Sequence, residues 1–221
     1  MHALLPCFAI LPCLNVVSFF VDMFREVFSL TVTTRTGDGY GERAYMDRQP
    51  FFRTMPRLLV FETGVHFIDV FRYLFGEPER LGARLRTLNP AIQGEDAGMV
   101  QLEFPSGVVA TWDANRYNES AEEDARFTFG TFRCDARKGH VCLAGDGTMT
   151  FKPLGQPVEE VPYAHPRMHF GSDCVHAFQQ HVVDVLLRQV PAESEGAEYL
   201  RNMRLVDAAY AANKTRQTVT T

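Results

Sequence analysis

Apolar and polar positions divide the chain into a strand-rich first part and a helical end. In Phe28–Arg35, Phe28, Leu30 and Val32 fall on one side and Ser29, Thr31 and Thr33 on the other. That period of two predicts a strand with one buried face. A loop carrying Gly37, Gly39, Gly41, Asp47 and Pro50 follows. From about Arg57 to Phe75 the period becomes helical, with Gly76 and Pro78 as stop signals. Strand-like pieces come next, near residues 81–88, 98–104, 108–115, 126–133, 140–143 and 148–152. Pro105-Ser106-Gly107 and Gly145-Asp146-Gly147 supply tight turns between neighbours. Such short connections favour antiparallel pairing.

The last third is helical. Ser172 is placed to cap a helix in which Val175, Phe178, Val182 and Leu186 recur at spacings of three and four. Ser194 is placed to cap another that turns Tyr199, Met203, Val206 and Tyr210 inward. The pattern predicts one α+β domain over residues 25–221, a mostly antiparallel open sheet of about six strands with helices on one face. Residues 1–24 form an apolar extension whose first arginine is Arg25 just beyond it. It lacks the basic start of a secretory signal, and Pro6, Pro12 and Asn15 interrupt it as a membrane span, so a buried or ill-ordered extension is expected ahead of a signal or an anchor.

Composition narrows the classes. The 221 residues hold 22 Lys+Arg against 27 Asp+Glu, a net charge of −5, with 46% hydrophobic residues. This excludes a disordered tail, a collagen-like repeat and a disulfide scaffold, and it disfavours a nucleic-acid partner. Five cysteines, widely spread and without a C-x-x-C pair, read as reduced thiols of a cytoplasmic protein. Cys134 and Cys142 are the pair that a hairpin could set facing one another.

The helix near residue 65 carries the chemistry. At about 100° per residue, taking Glu62 as zero, His66 falls near +40°, Asp69 near −20° and Tyr73 near +20°. Phe67, Ile68, Phe71, Leu74 and Phe75 crowd the opposite side. A carboxylate one turn from an imidazole can orient it and fix its tautomer, as proton transfer requires. The same stripe also fits a solvated face with a helix-stabilising Glu–His pair. Asn115, Arg116 and Tyr117 follow the strand of Trp112 and could line a pocket through hydrogen bonds and ring stacking, or simply end a strand. His165, His169, His176 and His181 lie close together, but Pro166 interrupts the first pair and a spacing of five separates the second, so no metal site is expected.

The segment Glu62–Gly76 resembles the carboxylate-x-x-x-His-x-x-Asp helix of the Gfo/Idh/MocA oxidoreductases, which include glucose–fructose oxidoreductase and inositol dehydrogenase. Residues 94–117 are similar to the central strands of that family's C-terminal domain, and residues 171–219 to its closing helix pair. The resemblance spans about residues 25–221. It implies a C-terminal α+β domain that supplies the substrate site beside a Rossmann domain that binds NAD(P). The implied chemistry is hydride transfer at a carbinol carbon of a sugar or polyol. His66 takes the place of the family's acid/base or hydroxyl-holding histidine. Glu62 stands where the dehydrogenases usually have Asp, and Asp69 matches the supporting second acid. Tyr73, Arg116 and Tyr117 are the substrate-binding candidates.

Two family features find no match. Gly37-Asp38-Gly39-Tyr40-Gly41 follows a strand, but the run before Pro50 is too short for the helix of a dinucleotide fold. The family's Glu-Lys-Pro lysine is missing too, because the three lysines are Lys138, Lys152 and Lys214, and Lys152-Pro153 follows a late hairpin. The expectation is a substrate-side domain that lacks cofactor-binding residues, is inactive alone, and forms a homo-oligomer through its sheet. The alternative is a non-catalytic carbohydrate-binding or self-association module.

Overall fold

The computed structural model describes residues 26–123, 127–163, 174–192 and 195–221. The apolar extension, Ser172, Ser194, His165 and His169 lie outside them. Among the described residues nine strands form one sheet: β1 (Val27–Arg35), β2 (Arg80–Arg86), β3 (Ala97–Glu103), β4 (Val109–Asn115), β5 (Thr131–Ala136), β6 (Gly139–Leu143), β7 (Met149–Pro153), β8 (Glu159–Glu160) and β9 (Val219–Thr220). Their spatial order is β8-β7-β6-β5-β1-β4-β3-β2-β9. The sheet is mixed, which corrects the expectation of about six mostly antiparallel strands. β1 is inserted between β5 and β4 and runs parallel to β4, Val32 opposite Trp112. Hairpin turns fix only pairs adjacent in sequence, so the placement of β1 between two distant strands was outside their reach. β8 and β9 are two residues each, too short to show a period.

The described residues also form three α-helices: α1 (Val65–Phe75), α2 (Cys174–Arg188) and α3 (Gly196–Thr215). The inner face of the sheet presents Leu30, Val32, Leu81, Val100, Leu102, Ala110, Trp112, Phe132, Val141 and Leu143, all buried. Against it α1 sets Phe67, Ile68, Val70 and Phe71, and α3 sets Leu205, Val206, Ala209 and Ala212. Trp112 stacks on Phe67 at 5.1 Å and donates its indole N–H to Thr34 Oγ1 at 2.9 Å. Gly64 makes this possible, since a Cβ there would lie 2.6 Å from the Trp112 ring.

Helical periodicity overstated two faces. Of the positions expected to turn inward on α2, Val175, Val182 and Leu186 are exposed, Leu186 at 73%. On α3, Tyr199 is exposed and the buried row is shifted to Asn202, Leu205, Val206, Ala209 and Ala212. A hydrophobic period states that a face is apolar, not what covers it. The cysteine pair is likewise settled by register: Arg133 stands opposite Cys142 and Cys134 opposite Val141, so the two thiols point to opposite faces. Burial pushes the Cys134 thiol up to about 12, and both cysteines are free.

Candidate functional site

The helix bearing the chemical stripe does not begin as an α-helix. Leu59–Gly64 form a π-helical turn that runs into α1 and ends at Gly76, whose φ is +85°. No residue of the turn caps it with its own side chain. Instead Glu95, just before β3, receives three consecutive backbone N–H groups. Its carboxylate accepts from Leu58 and Val60 at 3.3 and 3.0 Å, and its carbonyl accepts from Leu59 at 3.0 Å. The Tyr210 hydroxyl of α3 donates to the same carboxylate at 2.5 Å. A carboxylate beside an N-terminus satisfies orphan donors and opposes the helix dipole.

The wider turn changes where the stripe points, because a uniform 100° step no longer holds through residue 64. Glu62 turns toward the end of β4 and accepts from Arg116 Nη1 at 2.7 Å. The imidazole of His66 donates to the Glu62 backbone carbonyl, and burial, the larger influence, holds its pKa down to about 4. Asp69 faces α3, where Asn202 Nδ2 donates to it at 2.7 Å and Arg72 lies 4.0 Å away. Burial raises the Asp69 pKa against the opposing effects of Asn202 and Arg72. Tyr73 is half-buried further along α1. The four residues that a helical wheel aligns are thus divided: Glu62 meets the sheet, and Asp69 ties helix to helix.

Arg116 organises the other side. It follows β4, which ends beside the end of its parallel partner β1, and only 6% of it is exposed. Its Nε and Nη2 donate to the two oxygens of Asp38 at 3.2 and 2.5 Å, and Nη1 also reaches Thr63 Oγ1 at 3.3 Å. The guanidinium lies over the rings of Phe52 and Tyr45, 4.9 and 5.2 Å from their centroids. Burial acts to lower the Arg116 pKa, but the hydrogen bond and charge of Asp38 outweigh it and hold the group cationic. For Asp38, burial pulls upward and Arg116 more than reverses it, leaving the carboxyl below its ordinary value. Two carboxylates and one guanidinium leave about one negative charge here.

The loop between β1 and the π turn, read from the sequence as simple connection, has its own small core of Ala44, Tyr45, Phe52, Leu58 and Ile92. Asn89 Nδ2 donates to the carbonyls of Gly39 and Gly41 at 2.7 and 2.8 Å, and the Gly39 N–H donates to the Arg116 carbonyl at 2.8 Å. Arg53 donates to the carbonyls of Glu42 and Ala44. Tyr45 is buried with a positive φ of 66°, and its hydroxyl has no partner. Strain and an unsatisfied polar group at one residue are features that concentrate at functional sites. Asp38, Tyr45, Asn89 and Glu95 went unrecognised in the sequence. Asp38 between two glycines was a turn signal, and Tyr45 carried no signal at all.

The glycine loop does not fit a dinucleotide phosphate. Its central N–H and two of its carbonyls are engaged internally, Asp38 adds negative charge, and residues 41–48 continue as turns rather than a helix. Among the described residues no group of three His, Cys, Asp or Glu is placed to hold a metal, and no helix is long and apolar enough to cross a membrane. Tyr117 is exposed and packs edge-to-face on Tyr40, with ring centroids 6.4 Å apart.

Comparison with known proteins places this arrangement. Residues 26–132 match the family model of the GFO/IDH/MocA C-terminal domain. The D-apiose dehydrogenases of Rhizobium rhizogenes and Paraburkholderia graminis are 27% and 28% identical over 178 residues, 77% of this chain. The chain spans about half of each relative, 51% and 47% respectively. Among solved structures, an Agrobacterium radiobacter oxidoreductase in complex with NAD+, L-tartaric acid and magnesium matches with a TM-score of 0.80 at 22% identity, covering 99% of this chain and 64% of that one. Aldose-aldose oxidoreductase from Caulobacter crescentus, complexed with glycerol, matches at 0.71 and 20% identity, covering 96% and 60%. These two show a shared fold. Over residues 26–132, the chain is similar to the GFO/IDH/MocA C-terminal domain family.

Proposed function

We propose that the chain is the substrate side of an NAD(P)-dependent oxidoreductase acting on a CH–OH group of a sugar or polyol. The observation that carries this reading is the placement of His66, at the start of α1 and one turn beyond Glu62, whose carboxylate Arg116 holds beside the end of β4. The imidazole N–H is given to the Glu62 carbonyl and its pKa is held near 4, so at neutral pH the ring is uncharged and its other nitrogen bears the lone pair. That is the form needed to accept a hydroxyl proton or hold a hydroxyl in place. Glu62 supplies charge that Arg116 partly neutralises, and Tyr73, Arg116 and Tyr117 complete the substrate-binding set. The D-apiose dehydrogenase relatives support a sugar as substrate.

The nicotinamide cofactor is assigned to residues other than those described, since the glycine loop does not fit its phosphates. Alone, the chain then holds substrate without oxidising it. The test is direct. Adding D-apiose to the purified chain should shift the imidazole resonances of His66, while NAD+ plus D-apiose should yield no NADH. Micromolar binding of NAD(P)H, or turnover by the isolated chain, overturns the second part. Unmoved His66 resonances at saturating sugar overturn the first.

One observation favours a second reading, a carbohydrate-binding module without chemistry: the Glu62 carboxylate is committed to Arg116 and Thr63. Under that reading His66→Ala leaves the biological role intact. Self-association through the open face of the sheet belongs to either reading, and sedimentation of the purified chain tests it.

A further inference from the structure

The geometry points to Tyr40 and Tyr117 as an aromatic corner that stacks on the ring of a neutral sugar, an assignment that rests on the sugar-binding reading above. Isolated exposed aromatics are ordinary features of a surface. These two differ in how firmly they are presented. Tyr40 is 58% exposed, yet the residues on both sides of it are pinned, because Asn89 holds the carbonyls of Gly39 and Gly41 and the Arg116 carbonyl holds the Gly39 N–H. A side chain at residue 39 would begin 2.6 Å from the Tyr45 hydroxyl, so the loop lies directly on its small core.

Tyr117 is fixed by a separate device. The Asn115 side chain accepts from the N–H groups of Tyr117 and Asn118 at 2.9 and 2.7 Å, and donates to Asn118 Oδ1 at 2.8 Å. The two rings meet at 75°. Two perpendicular rings on anchored backbone make a corner whose ordering cost is already met before a ligand arrives.

The surroundings set the ligand class. Tyr117 directly follows Arg116, whose partners Asp38 and Glu62 keep 40% and 33% of their side chains exposed. Exposed carboxylate oxygens accept hydroxyl hydrogens, and the cluster's excess negative charge repels an acid. Aromatic faces take the C–H face of a ring, hydroxyls go to the carboxylates, and a neutral sugar satisfies both. Tyr40 was not among the residues singled out by helix periodicity, because it sits between two glycines in a turn.

Saturation-transfer NMR titration of the full chain with D-apiose tests the corner. Tyr40→Ala and Tyr117→Ala should each weaken binding about tenfold, and Tyr40→Phe and Tyr117→Phe should keep most of it. D-glucuronate should bind more weakly than D-glucose; equal binding of the two overturns the neutral-ring assignment. If both alanine variants bind D-apiose as the unaltered chain does while His66→Ala loses it, the corner is wrong and the sugar-binding reading stands. Loss in the tyrosine variants with binding kept in His66→Ala supports the corner and removes His66 from the reading. Absence of D-apiose binding by the unaltered chain overturns both. Amide NMR spectra of each variant separate a lost contact from a lost fold.

Discussion

Two buried arginines lie near opposite ends of one helix, and they are built differently. Arg72, near the end of α1, gives Nε and Nη2 to the two oxygens of Glu77 at 2.9 and 2.5 Å and Nη1 to Asn202 Oδ1 at 2.6 Å. Asn202 continues to Asp69, so Arg72, Asn202 and Asp69 form one hydrogen-bonded chain between α1 and α3. Arg116 serves two carboxylates, of a loop residue and a residue of the π turn, which are partly open to water as Glu77 is, but its network includes no buried amide like that of Asn202. Beside it stand the unpartnered Tyr45 hydroxyl and the exposed Tyr40–Tyr117 pair. A satisfied network welds elements together, whereas the cluster around Arg116 leaves one buried hydroxyl, that of Tyr45, without a partner at the strand ends.

The largest test of that contrast is Arg72→Met. Removing one partner strands Asp69 and Asn202 in a buried site, so the loss should be about 3–5 kcal/mol, read as a lower denaturant midpoint. Glu77, held below its ordinary value chiefly by its hydrogen bond from Arg72, should return toward it.

Next comes His66, which lies between the two arginines. Its pKa falls from 6.5 to about 4 on folding, so the unfolded chain binds the extra proton between those values. Stability should therefore be complete above pH 6.5 and decline as pH falls toward 4, by on the order of 3 kcal/mol. His66→Gln should flatten that segment of the stability–pH curve. A wild-type curve already flat there would sink the claim. Asp38 and Glu77, both held below their ordinary values, act in a more acid window: their contribution is present above the ordinary carboxylate pKa and lost as pH falls through the folded one.

Arg116→Met should cost less, about 2 kcal/mol, because Asp38 and Glu62 can regain water. Its distinctive effect is local. With Asp38 released, trypsin should cut the loop at Arg43 and Arg48 well before the sheet unfolds, which Arg72→Met should not cause. The smallest effect sharpens the comparison from below. Arg43 pairs with Asp47 one turn away, both largely exposed, and Arg43→Ala should change stability by less than about 0.5 kcal/mol.

Much of this architecture was legible in the chain. Strand alternation located β1 through β7, although the piece near 126–133 begins as a strand only at Thr131. The aromatic face of α1 was placed correctly because Phe67, Ile68 and Phe71 pack where a period of 3.6 puts them. The site was less legible. Glu62 and His66 stood out by type and spacing, but their real relation passes through a backbone carbonyl in a π turn capped by Glu95, a residue more than thirty positions away. Arg116 was noticed as a strand end, while its partner Asp38 is joined to it only by the parallel pairing of β1 with β4.

What the amino-acid sequence determined by itself is the set of short-range facts: which segments alternate, where helices stop, and which residue types could move a proton. Those depend on neighbours within a few positions, where propensity and periodicity act. Tertiary structure alone decided that β1 enters the middle of the sheet, that Asp69 belongs to α3, that the face of Leu186 and Leu187 lies open, and that Tyr40 meets Tyr117. Each of these rests on pairing between distant segments, and burial or charge compensation there has energy only once both segments are in place.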